Sequence, residues 1–151
     1  MAFILPTNNQ KFRLFSDQHN GQFLFVSNDL DDDNDRFVEA HPFRDEERNF
    51  FTAIEDEPGV FRIFHPATGT FLFVSKDTLN GDRVVQAHPN GNERRNKFQP
   101  VLAENGTFKL HNLSTDTFVF LSNDQKGNDF VIEAHLNSTE IRNNFRIDLG
   151  P

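Results

Sequence analysis

Histidine, arginine and asparagine recur as a set three times in this chain: His41 with Arg48 and Asn49, His88 with Arg95 and Asn96, and His135 with Arg142 and Asn143. Each residue type advances by 47 positions from set to set, and the phenylalanines Phe51, Phe98 and Phe145 keep the same step. Imidazole, guanidinium and carboxamide are planar groups that donate and accept hydrogen bonds in fixed directions. Such groups can hold the hydroxyls of a ligand, ligate a metal or move a proton.

Proton transfer and nucleophilic chemistry find little support. There is no cysteine, no GxSxG turn and no phosphate-cradling glycine loop, and no carboxylate pair sits in an apolar stretch. A non-enzymatic binding protein with no cofactor is expected. Metal chemistry fares no better: none of the three histidines has the i,i+4 partner of a zinc helix, and hairpin ends of separate repeats should be far apart. The run Asp29, Asp31, Asp33, Asp35 lacks the glycine and the twelfth-position glutamate of a calcium loop, with Asn34 and Ala40 in those places.

Repeats of this length cannot bury an apolar face alone, so three copies must close around a shared core. Within the first copy, FRLF (12–15), QFLFVS (22–27), RFVEAH (36–41) and FFTAI (50–54) are short apolar or alternating runs separated by turn formers. Asn20-Gly21, Thr68-Gly69 and Thr115-Asp116 mark the same tight turn in each copy. No helical stripe appears. Twelve strands in three four-stranded units predict an all-β chain with the β-trefoil arrangement, six strands forming a short barrel and three hairpins capping one end. One domain spans 1–151, with repeats at about 11–57, 59–104 and 106–149.

Positions that stay aliphatic in all three copies should point inward. These are Leu24, Leu72 and Val119; Val26, Val74 and Leu121; Val38, Val85 and Ile132; and Ala40, Ala87 and Ala134. The alternation then turns Phe23, Phe25 and Ser27 outward, with Phe71, Phe73, Ser75 and Phe118, Phe120, Ser122. Glu39 and His41, Gln86 and His88, and Glu133 and His135 share that face, and Asp29, Asp77 and Asp124 follow the serines. An outward Phe25, Phe73 or Phe120 is either a stacking platform for a sugar or is covered by the loop before the fourth strand. The arginines either meet ligand or pair with Glu39 and Glu133, and the asparagines either meet ligand or satisfy turn backbone.

A net charge of −8 argues against nucleic-acid and anionic-membrane partners. No stretch is apolar enough to span a bilayer, and MAFILPTNNQ lacks the features of a secretory leader, so a soluble protein, cytoplasmic or released without a leader, is expected. The acceptor pattern at Asn105, Asn112 and Asn137 is attributed to chance in an Asn-rich chain. The segment Ala2 to Pro6 is expected to pair with the last strand or with a second chain, making a homodimer one possibility.

The unit F-x-I/L-x(5)-TG-x-F-L-F-V-S ending in RNxF resembles the β-trefoil lectins over residues 11–148. Thr68-Gly69, Leu72-Phe73 and Asn96-Lys97-Phe98 are similar to the lectin module of fungal pore-forming haemolytic lectins. His41, Arg48 and Phe51 are similar to the mussel trefoil lectins. The resemblance implies recognition of galactose or N-acetylgalactosamine on glycans or glycoproteins at up to three sites, built from Phe25, Asp29, His41, Arg48, Asn49 and their counterparts Phe73, Asp77, His88, Arg95, Asn96 and Phe120, Asp124, His135, Arg142, Asn143. The chain departs from the ricin-type QxW ending, with RNFF, RNKF and RNNF instead, and has neither Trp nor Tyr. A trefoil protease inhibitor acting through one loop, Asp29 to Arg36 or Phe43 to Arg48, and a cytoskeletal or signalling trefoil are the other functional classes. If the histidines touch ligand, affinity should fall as they titrate near pH 6 to 7.

Overall fold

A computed structural model describes residues 3–150. Twelve strands run β1 (Arg13–Ser16), β2 (Gln22–Leu30), β3 (Arg36–His41), β4 (Thr52–Glu57), β5 (Val60–His65), β6 (Thr70–Leu79), β7 (Asp82–His88), β8 (Lys97–Leu102), β9 (Phe108–Asn112), β10 (Thr117–Lys126), β11 (Asp129–His135) and β12 (Arg146–Asp148). The helical elements among the described residues are short 3-10 turns. The first and fourth strands of the repeats form a closed ring of six, β1, β4, β5, β8, β9 and β12. It is joined by β4–β5, β5–β8, β8–β9 and β12–β1 ladders and by single bridges at Phe12↔Phe51 and Phe108↔Phe145. The hairpins β2/β3, β6/β7 and β10/β11 cap one end, where β3, β7 and β11 pair with one another in a triangle.

Phenylalanines of the first and fourth strands' repeated positions form the waist of this barrel. Phe12, Phe51, Phe61, Phe98, Phe108 and Phe145 are all 0% exposed, and burying each stabilises the fold by roughly 2 kcal/mol. The aliphatic positions shared by the repeats are buried in the same cluster. Each hairpin opens on a residue with positive φ, Gly21 and Gly69 in the first two repeats and Asp116 in the third. The repeated Ser-x-Asp has a structural origin. The ladders shift register after Val26, Val74 and Leu121, and there the Oγ of Ser27, Ser75 and Ser122 accepts the N–H of Asp29, Asp77 and Asp124 at 2.9 to 3.1 Å, supplying a partner where the sheet offers none.

The N-terminal segment docks beside β8 and not beside the last strand. Phe3 donates its N–H to the Pro100 carbonyl and stacks on Phe108, and Leu5 is 1% exposed. It closes the barrel there because Phe3 and Leu5 bury apolar surface; Ala2 lies outside the described residues.

Candidate functional site

The recurring set of histidine, arginine and asparagine comes together in each repeat, but as a packed unit. Phe25, Phe73 and Phe120 are 1% exposed, so the expectation that they offer open stacking faces is corrected. His41, His88 and His135 stack on one side of these rings, with centroids 3.8 to 4.0 Å apart. Arg48, Arg95 and Arg142 lie over the other side, Cζ 4.5 to 5.1 Å from the centroids. Sequence alternation turned these rings away from the barrel correctly; the turn before the fourth strand then covers them with its guanidinium. Each arginine pairs with the glutamate two residues earlier, Glu46, Glu93 or Glu140, and not with Glu39 or Glu133. The arginine holds each of those carboxyls below its ordinary pKa.

Asn49, Asn96 and Asn143 are 0% exposed and tie the turn to the hairpin. Their Nδ2 groups donate to the carbonyls of Leu24, Leu72 and Val119, each at 3.1 Å. The same amides approach Nε2 of His41, His88 and His135 at 3.1 to 3.4 Å. A donor amide at Nε2 assigns the ring proton to Nδ1, and burial lowers the pKa of His41 and His88 from the ordinary value. Burial therefore favours the neutral form of these two imidazoles. His65 is a further structural histidine: its Nε2 donates to the Arg48 carbonyl at 2.8 Å, and Asn112 holds the Arg95 carbonyl the same way at 2.9 Å.

Asp29, Asp77 and Asp124 each meet another acidic group. Asp29 and Asp124 bond to Glu39 and Glu133, and Asp77 lies against Asp31. Among the described residues, the one cluster with metal-ligand spacing is Asp31, Asp33 and Asp77; the three histidines are not brought together.

The accessible aromatic surface lies one pleat away, in residues outside the sequence-derived set. Phe15 packs on Phe23 at 4.8 Å, Phe64 on Phe71 at 4.8 Å and His111 on Phe118 at 4.5 Å. All six rings are half-buried. Because Phe23, Phe71 and Phe118 lie directly opposite His41, His88 and His135, each repeat carries a row of rings over three strands. Charged groups edge the rows: Arg62 above Phe71, itself paired with Asp56, and Asp116 on His111 at 2.8 Å. In the first repeat Phe15 and Phe23 floor a cleft of about 300 Å³ walled by Arg146, Ile147, Asp148 and Leu149. The signal in the sequence was the aromatic residue kept at 15, 64 and 111, in register with 23, 71 and 118.

No family model matches the chain, and no curated protein matches it by sequence. Solved structures do match in three dimensions. The "BEL beta-trefoil" superimposes with a TM-score of 0.75 at 16% identity, covering 98% of this chain and 99% of its own. The fold is the β-trefoil. A Culex quiquefasciatus salivary protein of the Cysteine and Tryptophan-Rich family follows the same trefoil path with a TM-score of 0.77 at 22% identity, over 98% of this chain and 97% of that one. This trefoil has neither cysteine nor tryptophan, so the likeness lies in the path of the chain. An exo-beta-1,3-galactanase from Clostridium thermocellum, 1,3Gal43A, matches 97% of this chain with 31% of its own, at a TM-score of 0.79 and 11% identity. Among the described residues of this trefoil, no helix is long and apolar enough to cross a membrane.

Proposed function

We propose that this β-trefoil is a multivalent, non-catalytic carbohydrate-binding protein that prefers galactose or N-acetylgalactosamine on glycans or glycoproteins. The observation that carries the reading is the row of half-buried rings repeated in all three lobes, edged by charged groups already held in place. A pyranose presents an apolar C–H face and hydroxyls in fixed directions, so it needs an aromatic floor with hydrogen-bonding groups at the margin. Galactose suits such a floor because its axial O4 leaves the C3–C4–C5 edge clear for stacking. The Phe15/Phe23 cleft meets these needs with Arg146 and Asp148 at its rim; Arg44 holds the Asp148 carboxyl below its usual range. A site of this kind is shallow and weak alone, and repetition on one body converts weak sites into avidity on a glycan-bearing surface. The Clostridium thermocellum enzyme lends support, since a part of similar fold belongs there to an exo-beta-1,3-galactanase.

Phe23→Ala is expected to lower affinity for a galactose-terminated probe about tenfold, the equivalent of about 1.4 kcal/mol. Titration calorimetry measures this, with the thermal midpoint confirming that the variant is folded. Agglutination blocked by free galactose supports the reading. Silence of the wild-type chain across a broad glycan panel would sink it.

A further inference from the structure

The three seams between repeats are not chemically alike. At the seam between the third and first repeats, Arg146 and Asp148 stand where the other repeats carry Thr52 and Ile54, or Gln99 and Val101. Asp17 and Gln18 stand where the others carry Pro66 and Ala67, or Leu113 and Ser114. Three of these replacements, Asp17, Gln18 and Arg146, line a second cavity beside the Phe15/Phe23 cleft, about 110 Å³ in volume, together with Glu104, Ile141 and Asn144 among others. Arg146 is the wall common to both spaces. Its guanidinium is fixed, with Nε donating to Asp17 at 3.1 Å and Nη1 to the Asn105 carbonyl at 2.8 Å.

Inside this cavity acceptors predominate. Asn144 lines it, and its Oδ1 is sealed from solvent with no hydrogen-bond partner. Two carboxylates, Asp17 and Glu104, supply acceptors against one guanidinium, so the cavity favours a neutral ligand rich in donors over an anion. Ile141, 65% exposed, offers an apolar wall for C–H groups. The adjoining cleft has the opposite character, with an aromatic floor suited to stacking.

Resting on the carbohydrate reading, we propose that this seam is a two-subsite oligosaccharide site. One sugar ring stacks on Phe15 and Phe23, and the next enters the polar cavity, donating to the carboxylates of Asp17 and Glu104 and passing across Arg146. The site thus recognises a disaccharide or longer chain and is the single tight site of the molecule, while the other two seams remain weak.

Calorimetry of the full chain with galactose, lactose, N-acetyllactosamine and β-1,3-galactobiose tests this. At least one disaccharide is expected to bind about tenfold or more tightly than galactose, with one tight site per chain. Glu104→Ala and, independently, Gln18→Ala are expected to bring that preference ratio close to one in variants whose thermal midpoints show them folded. Equal affinity for galactose and every disaccharide, three equal sites per chain, or a ratio unmoved by both substitutions would overturn the proposal while leaving carbohydrate binding intact. Absence of binding to any of these sugars and to the broad glycan panel removes the carbohydrate reading and this inference together.

Discussion

Asn96→Ala is expected to lower the unfolding free energy by about 3 kcal/mol. The side chain is 0% exposed and has three buried partners: Nδ2 donates to the Leu72 carbonyl at 3.1 Å and approaches His88 Nε2 at 3.4 Å, and Oδ1 accepts the Glu93 N–H at 3.0 Å. Alanine leaves these groups without partners in a space that water does not readily enter, and each such group costs about 1 to 3 kcal/mol. The turn also loses the capping box that shapes it, and with it the guanidinium lid over Phe73. Urea denaturation measures the change, which should appear in the midpoint with the slope unaltered. Asn90→Ala, on the exposed part of the same loop, should cost less than about 0.5 kcal/mol. Equal effects at the two positions would contradict the tying role assigned to Asn96.

Stability is expected to fall as pH rises from 7 to 9. Glu39 and Glu133 are each 1% exposed, with Oε2 buried and unpartnered. Burial raises Glu39 to about 8, aided by its hydrogen bond to Asp29 and the charge there. Burial likewise raises Glu133 to about 9, with Asp124 in the same role. The second repeat supports this protonation state, because it carries an amide there: Gln86 Nε2 donates to Asp31 at 2.9 Å, as a protonated carboxyl would donate to Asp29 or Asp124.

The folded state thus keeps protons that the unfolded chain has released above its carboxyl pKa near 4.5. The stabilisation is whole below that value and is lost as pH rises through the folded values of about 8 and 9. His41, His65 and His88 are shifted downward by burial, and Asp35 is raised only to about 6, so these groups finish titrating lower. At 1.36 kcal/mol per pH unit per proton, the two glutamates together account for about 2 to 4 kcal/mol between pH 7 and 9. The thermal midpoint should drop by roughly 5 to 10 °C. The double variant Glu39→Gln/Glu133→Gln should hold its midpoint across that range and exceed the wild type at pH 9. An unchanged slope in the variant would assign the dependence elsewhere.

Much of the architecture was legible because repetition separates signal from noise. Leu24, Leu72 and Val119 agree where a single strand would be ambiguous, and agreement over three copies assigns the inward face. The step from outward-facing to exposed could not be made the same way. Phe25 and Phe23 share a face and a residue type, and what separates them is Arg48, which reaches over Phe25 from a turn whose path is not encoded in strand periodicity. Ser27-x-Asp29 looked like part of a polar site because a bulge and a ligand contact both require a repeated hydroxyl. The seam carrying Arg146 and Asn144 escaped notice for the reverse reason: the pattern common to the copies is silent about the places where one copy differs.

The ring of six strands is complete only once β12 returns to β1, where Arg13 meets Asp148 and Phe15 meets Arg146 across nearly the whole length of the chain. Contacts of such separation carry a large loop-closure cost and form slowly. Until that clasp is made, β1 and β9 present unpaired edges to solvent, which are templates for another chain. The hazard for this protein therefore lies in synthesis and refolding, when a stalled or shortened C-terminus leaves the ring ajar and open to intermolecular strand exchange.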